Sequence, residues 1–240
     1  MAYDPLNSPS QAAGYASSKS IDAGLQSYMQ SVYRTMCWGL GVTGLTAYGV
    51  ANVPVLSNFV LHPGTSMIVM LGTFIFLMVG FRPGRIAQAS AESLRLTFLL
   101  FSALMGLMLS IVFEVYTGTS IARAFFITAG AFAGTSLYGY TTRRDLTGMG
   151  SFMFMGLLGI IIAGFVNMLL QSTMMYFVTS VLSVVIFTGL AAWETQKLKY
   201  MYRAGDTEGN GKQAVMGALS LYMNFINLFQ AIISLTGDRR

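Results

Sequence analysis

The chain has 240 residues, of which 54% are apolar and only 10% charged, and its mean hydropathy is +0.61. Too few ionic groups remain to solvate a soluble globule of this size, so the composition predicts a surface covered by lipid. The formal charge of +5 does not point to nucleic acid, because the basic residues are dispersed between apolar runs instead of gathered on one patch.

In chain order, the opening stretch MAYDPLNSPSQAAGYASSKSIDAGLQ lacks the basic start and apolar centre of a cleavable signal peptide, and residues 1–27 read as a flexible polar tail. Seven apolar runs follow, at 33–53, 62–81, 96–116, 121–140, 151–171, 175–195 and 213–235. Each approaches the roughly 20 residues that a helix needs to cross about 30 Å of hydrocarbon. Lipid offers the backbone no hydrogen-bond partner, so spanning runs of this length are helices. The sequence therefore predicts an all-α polytopic membrane domain over 28–236, with 237–240 as a short tail. His62-Pro63-Gly64 reads as a turn ahead of the second span, and Cys37, the single cysteine, excludes an intramolecular disulfide.

Charge alternates between the loops. Arg82, Arg85 and Arg95 flank one, Arg143 and Arg144 another, and Lys197, Lys199, Arg203 and Lys212 a third, whereas 54–63, 117–120 and 172–174 contain no Lys or Arg. By the positive-inside rule the basic loops and the N-terminal tail, with Lys19 and Arg34, are cytoplasmic. Seven crossings then place the C-terminus outside. Arg239 and Arg240 oppose that placement, which leaves open a last segment that re-enters without crossing. The Gly130–Gly134 pair and the Gly39, Gly41, Gly44 cluster suit close approach of helix backbones.

An ionisable or amide side chain within a span is expensive, which makes the few present the functional candidates. They are Glu194 near the cytoplasmic end of the sixth span, Asn224 and Asn227 in the seventh, Asn167 in the fifth, and Arg82 at the end of the second. Glu114 and Arg123 flank a short outer loop and are expected to pair there. For Glu194 a structural alternative is an i,i+3 ion pair with Lys197, worth only about 0.2–0.5 kcal/mol. Likewise Asn224 and Asn227 share a face at i,i+3, and interhelical amide bonds alone would account for them. Enzymatic chemistry finds no constellation: the sole histidine, His62, falls in an outer loop, and there is no zinc motif, Ser-Lys dyad or phosphate loop. The expectation is a carrier or channel without enzymatic activity or bound cofactor.

Two segments carry a family resemblance. Thr188-Gly-Leu-Ala-Ala-Trp-Glu-Thr-Gln-Lys-Leu-Lys199 and Gly217-Ala-Leu-Ser-Leu-Tyr-Met-Asn-Phe-Ile-Asn-Leu-Phe229 resemble the bacterial branch of the transmembrane Bax inhibitor motif family, over roughly residues 28–236. The resemblance implies six helices around a central seventh, in the bacterial inner membrane, and a pH-sensitive calcium leak. It further implies a cation and proton site made by carboxylates on the sixth and seventh helices, closed by an arginine latch from the second. Motif by motif, these positions fall on Glu194, Asn224 and Arg82. Asn224 departs from the family pattern. Two close carboxylates repel and share a proton near neutral pH; Glu194 beside an amide lacks that repulsion, and a calcium ion there keeps an oxygen ligand but loses a charge. The family also contains regulators that bind other membrane proteins, such as a membrane protease, which supplies a non-conducting alternative.

Overall fold

The computed structural model describes residues 9–240. Its helices are α1 (Pro9–Asn52), α2 (Pro54–Leu61), α3 (Pro63–Gly80), α4 (Pro83–Gln88), α5 (Ala91–Val115), α6 (Gly118–Thr141), α7 (Thr147–Leu170), α8 (Thr173–Met201) and α9 (Thr207–Thr236). The first eight residues of the polar tail lie outside the described residues; from Pro9 onward the backbone is helical, well ahead of the apolar run at 33.

Local chemistry sets the helix starts. Pro54, Pro63 and Pro83 stand in the first turns of α2, α3 and α4, where a missing N–H costs nothing. Side chains of Ser90, Thr117, Ser172 and Asp206 accept the free N–H groups that open α5, α6, α8 and α9. His62 does the same for α3 by accepting from the Gly64 N–H at 3.3 Å, so the expected turn is also a cap. Pro54 has a larger effect. It breaks the first span, and residues 54–61, read as loop, form the short helix α2, which leaves α1 at an angle of 106°.

α3 and α5 to α9 are each long and apolar enough to cross a bilayer, and the bent α1–α2 pair raises the count to seven when taken as one span. Contacts at their ends fix the directions. α8 and α9 run antiparallel, since Glu194 meets Ser220 (2.6 Å) while Ser180 meets Ser234 (2.9 Å). Tyr33 near Thr195, Thr43 against Tyr222 and Tyr48 against Phe113 set α1 parallel to α5 and α9. α3 descends along α5, its Gly80 close to Thr97 and its start beside Leu107 and Ile111. The basic residues of the three Lys/Arg-bearing loops consequently gather at one end, where Lys199 donates to the Tyr140 carbonyl (3.0 Å) and Lys212 to that of Ala87 (3.2 Å).

α9 is central. Its buried residues run from Ala214 to Ile233, and its principal neighbours are α1, α5, α6 and α8. α3 packs on α5 and α7 on α8, so the direct ring around α9 consists of four helices, with two more outside it. Outward faces are apolar: Leu169 on α7 is 81% exposed, as expected of a side chain that meets lipid. At the centre Tyr222 is fully buried. Its hydroxyl bonds Thr43 Oγ1 at 2.7 Å, Thr43 donates to the Ser102 carbonyl at 2.9 Å, and Phe98 and Phe101 meet the ring edge-on. One tyrosine thereby joins α1, α5 and α9.

At the opposite end the last residues are clasped. Asp238 accepts from Ser120 Oγ (3.1 Å) and pairs with Arg123 (3.2 Å), and the Arg240 N–H donates to the Val115 carbonyl (3.0 Å). Arg123 therefore takes Asp238, not the expected Glu114, which is exposed. The carboxylate that closes the α5–α6 corner arrives from the chain end because α9 delivers it there.

The glycines also sort differently from their spacing. Gly130, Gly134, Gly41 and Gly44 have open space where a side chain would go, and of the named positions only Gly39 is packed, against Phe98. The tightest backbone crossing is at Gly139, where a Cβ would run into the Ala192 carbonyl oxygen of α8, ahead of Gly106 against the Thr43 carbonyl of α1. Backbone cannot yield as a side-chain tip can. Gly139→Ala should destabilise the bundle by about 1–3 kcal/mol and lower the thermal midpoint in detergent, whereas Gly130→Ala should not lower it.

Candidate functional site

The segment Trp193-Glu194-Thr195-Gln196 lies on α8 about two turns before the helix end at Met201, because the helix continues past the apolar run. Successive side chains on a helix point about 100° apart, and these four reach four different partners. Trp193 covers Gly150 of α7. Thr195 meets the Tyr33 hydroxyl of α1 at 3.4 Å. Gln196 accepts from the Leu146 N–H at 2.8 Å and donates to the Arg144 carbonyl at 2.7 Å, which holds the loop between α6 and α7. Glu194 turns to α9.

Ser220 Oγ donates to Glu194 Oε1 at 2.6 Å, and Asn224 Nδ2 donates to Oε2 at 2.5 Å. An ionised carboxylate accepts only, so the amide must present its NH2 group and turn its oxygen away. Ser220 and Asn224 are separated by four residues and lie one above the other on the same face of α9, the spacing at which two side chains can grip one group. Glu194 and Asn224, predicted to share a site, are thus brought together. Ser220, a residue type common in membrane helices, carries no such signal by itself; its position one turn before Asn224 is what marks it.

Other expectations fare differently. Lys197 stands over the Trp193 ring at 5.2 Å and makes no ion pair with Glu194. Arg82 caps α4 in the break after α3; its side chain is exposed, and no contact with Glu194 is made in this conformation. Arg85 is the arginine of that loop that turns inward, donating to Thr97 Oγ1 at 3.2 Å.

Asn167 and Asn227 both line a cavity of about 670 Å³ between α7, α8 and α9, together with Ser180, Ser183, Gln230 and Ser234. Asn167 Oδ1 already accepts from the Ser172 N–H at 2.9 Å and closes the α7–α8 turn, so its role is at least partly structural. Asn227 lies one turn beyond Asn224 toward the clasped end. Polar groups thus continue along α9 from the Glu194 site: Ser220, Asn224, Asn227, Gln230 and Ser234.

Chemically, the Glu194 site offers one carboxylate, one amide and one hydroxyl. Calcium takes six to eight oxygens, and no cluster of three or more His, Cys, Asp or Glu occurs among the described residues. A cation here would retain much of its water, which suits a passing ion better than a resident one.

Alternating helices with lipid-type outer faces, and polar side chains turned inward onto a central helix, define a polytopic all-helical membrane protein with an intramembrane polar site. The chain belongs to the Bax inhibitor family: the family model described as inhibitor of apoptosis-promoting Bax1 matches residues 25–240. A Rickettsia prowazekii protein is 43% identical over 226 residues, covering 92% of this chain and 94% of its own. The inner membrane protein YbhL of Escherichia coli K12 is 41% identical over 223 residues, with 91% and 94% covered. An uncharacterized membrane protein of Streptococcus pyogenes serotype M1 is 33% identical over 217 residues, with 90% and 94% covered.

Removing one donor from this carboxylate should be felt in stability. Asn224→Ala is expected to cost about 1.5–3 kcal/mol, the range for hydrogen bonds to a charged group, measured by unfolding in detergent. Asn227→Ala, which removes no hydrogen bond seen in the structure, should cost less.

Proposed function

We propose that the protein is a pH-sensitive leak for calcium or a similar cation, gated at Glu194 in the inner membrane of a bacterium, with the N-terminus in the cytoplasm. The observation that carries this reading is the Glu194 carboxylate within a spanning helix, held by two neutral donors and by no cation of the described residues. Ionised, such a group holds a cation, which in the closed state is the Arg82 guanidinium; protonation releases that cation, so acid opens the path. The polar line from Ser220 to Ser234 supplies oxygens for a hydrated ion on the way to the far end. The cytoplasmic N-terminus rests on the basic loops gathered at one end of the bundle, and the inner-membrane assignment on family membership with YbhL. Arg82 closes the path by reaching Glu194. Its position in the α3–α4 break, without an ion-pair partner among the described residues, leaves it available for that contact.

The second reading is a non-conducting regulator that binds other membrane proteins, a membrane protease among them. It draws on Asn224, which leaves a single charge where calcium favours more. Crosslinking in native membranes that captures a stable membrane partner, from a protein with no ion flux, would favour it.

Reconstitution into liposomes loaded with a calcium dye tests the leak. Glu194→Gln mimics the protonated state at every pH, so its flux should be independent of pH and equal to the acid limit of the unmodified protein. Arg82→Ala, lacking the latch, should leak more under closing conditions. Asn224→Asp adds a second titrating group and should spread the pH profile over two proton steps. Flux unchanged in both Glu194→Gln and Arg82→Ala overturns the site; no calcium entry at any pH overturns the activity.

A further inference from the structure

On the far side of α1 from the Glu194 site, α1 and α5 enclose a recess of about 220 Å³ lined by Arg34, Thr35, Trp38, Arg95 and Leu99. One guanidinium comes from each helix. Both arginines are exposed, and neither has an ion-pair or side-chain hydrogen-bond partner among the described residues. Glu92, one turn before Arg95, does not pair with it. Two fixed positive charges therefore share a small recess that no carboxylate lines.

The depth of the recess narrows what can enter it. α5 has 25 residues, about 37 Å of helix, against roughly 30 Å of hydrocarbon. Arg95, four residues after its start, consequently lies near the junction of headgroups and hydrocarbon, at the end that carries the basic loops. Trp38 is one turn deeper than Arg34 and 67% exposed, in the position where an indole lies beside lipid glycerol. Next to the recess the α5 surface becomes purely apolar at Leu96 and Leu100, each 60% exposed. Cations on both helices, an indole one turn further in and aliphatic surface alongside are the groups that a phospholipid's phosphate, glycerol and acyl chain would meet. A guanidinium also matches phosphate oxygens in geometry as well as charge.

We propose that this recess is a binding site for the phosphate of an anionic phospholipid, clamped between Arg34 and Arg95 with its glycerol region against Trp38. Basic pockets between transmembrane helices hold anionic headgroups by this chemistry. A bound lipid would bridge α1 and α5 at the basic end of the bundle. The proposal does not depend on ion conduction.

The test uses the full chain in vesicles of equal parts phosphatidylglycerol and phosphatidylcholine, with bromine on the acyl chains of one lipid or the other. The chain has two tryptophans, so Trp193→Phe leaves Trp38 as the only tryptophan to excite selectively; unmodified protein serves if that variant does not fold. Two arginines at the surface predict a preference of roughly thirtyfold for the anionic lipid, seen as much stronger quenching by brominated phosphatidylglycerol. Arg34→Gln with Arg95→Gln should abolish the preference, and Arg34→Lys with Arg95→Lys should retain part of it. Native mass spectrometry from detergent should show retained phosphatidylglycerol adducts that the double Gln variant loses. Equal quenching by the two lipids, or a preference unaffected by the double Gln variant, overturns the proposal. Inorganic phosphate separates the two sources of the anion: a preference that survives it supports a lipid site, and one that phosphate removes shows a free-anion site and overturns the lipid.

Discussion

A carboxylate on a lipid-spanning helix has to find hydrogen-bond donors inside the protein or give up its charge, and much of this structure is arranged around that requirement at Glu194. Its two oxygens are taken by Ser220 and Asn224, both on α9. The pairing fixes more than a distance. Turning α9 by one residue rotates its side chains by about 100° and would withdraw both donors at once, so the register of α9 against α8 is set by polar geometry. Between two apolar surfaces in lipid, packing alone discriminates poorly between registers, because hydrocarbon competes equally for every face. Ser180 with Ser234 repeats the device toward the other end. Once α8 is fixed, the neighbours of Glu194 in sequence fall on their own partners, Trp193 over Gly150 and Gln196 on the α6–α7 loop.

What the sequence reveals follows from the same physics. The spans were legible because about 20 apolar residues have one stable solution in a bilayer, and Glu194 with Asn224 because polar groups are rare and expensive there. Helix ends were less legible: α8 continues to Met201 and α9 begins at Thr207, since the headgroup region is wet and accepts polar helical turns. Nor could spacing identify the packed glycines. Gly130 and Gly134 have the familiar four-residue separation yet face open space, while Gly139 meets the backbone of α8. A helix that is apolar on all sides does not declare which face meets protein and which meets lipid. The Arg123–Asp238 pair was hidden for another reason, as its partners are 115 residues apart and only the path of α9 joins them.

The helices also differ in how firmly they are held. α9 is buried along most of its length and tied at both ends, through Lys212 to the Ala87 carbonyl and through Asp238 to Ser120 and Arg123. α3 is the contrast: its buried residues are Thr73 and Gly80, it packs mainly on α5, and proline breaks bound it on either side at Pro63 and Pro83. A gate needs one part that stays and another that moves. Opening local structure costs least where few buried contacts are lost, so in the proposed gate α3 and the Arg82 turn would be the mobile side and the α8–α9 pair the stationary one. The proposed latch and the carboxylate it seeks therefore stand on opposite sides of that division, as a contact must if it is to be broken and remade without disturbing the core around Tyr222.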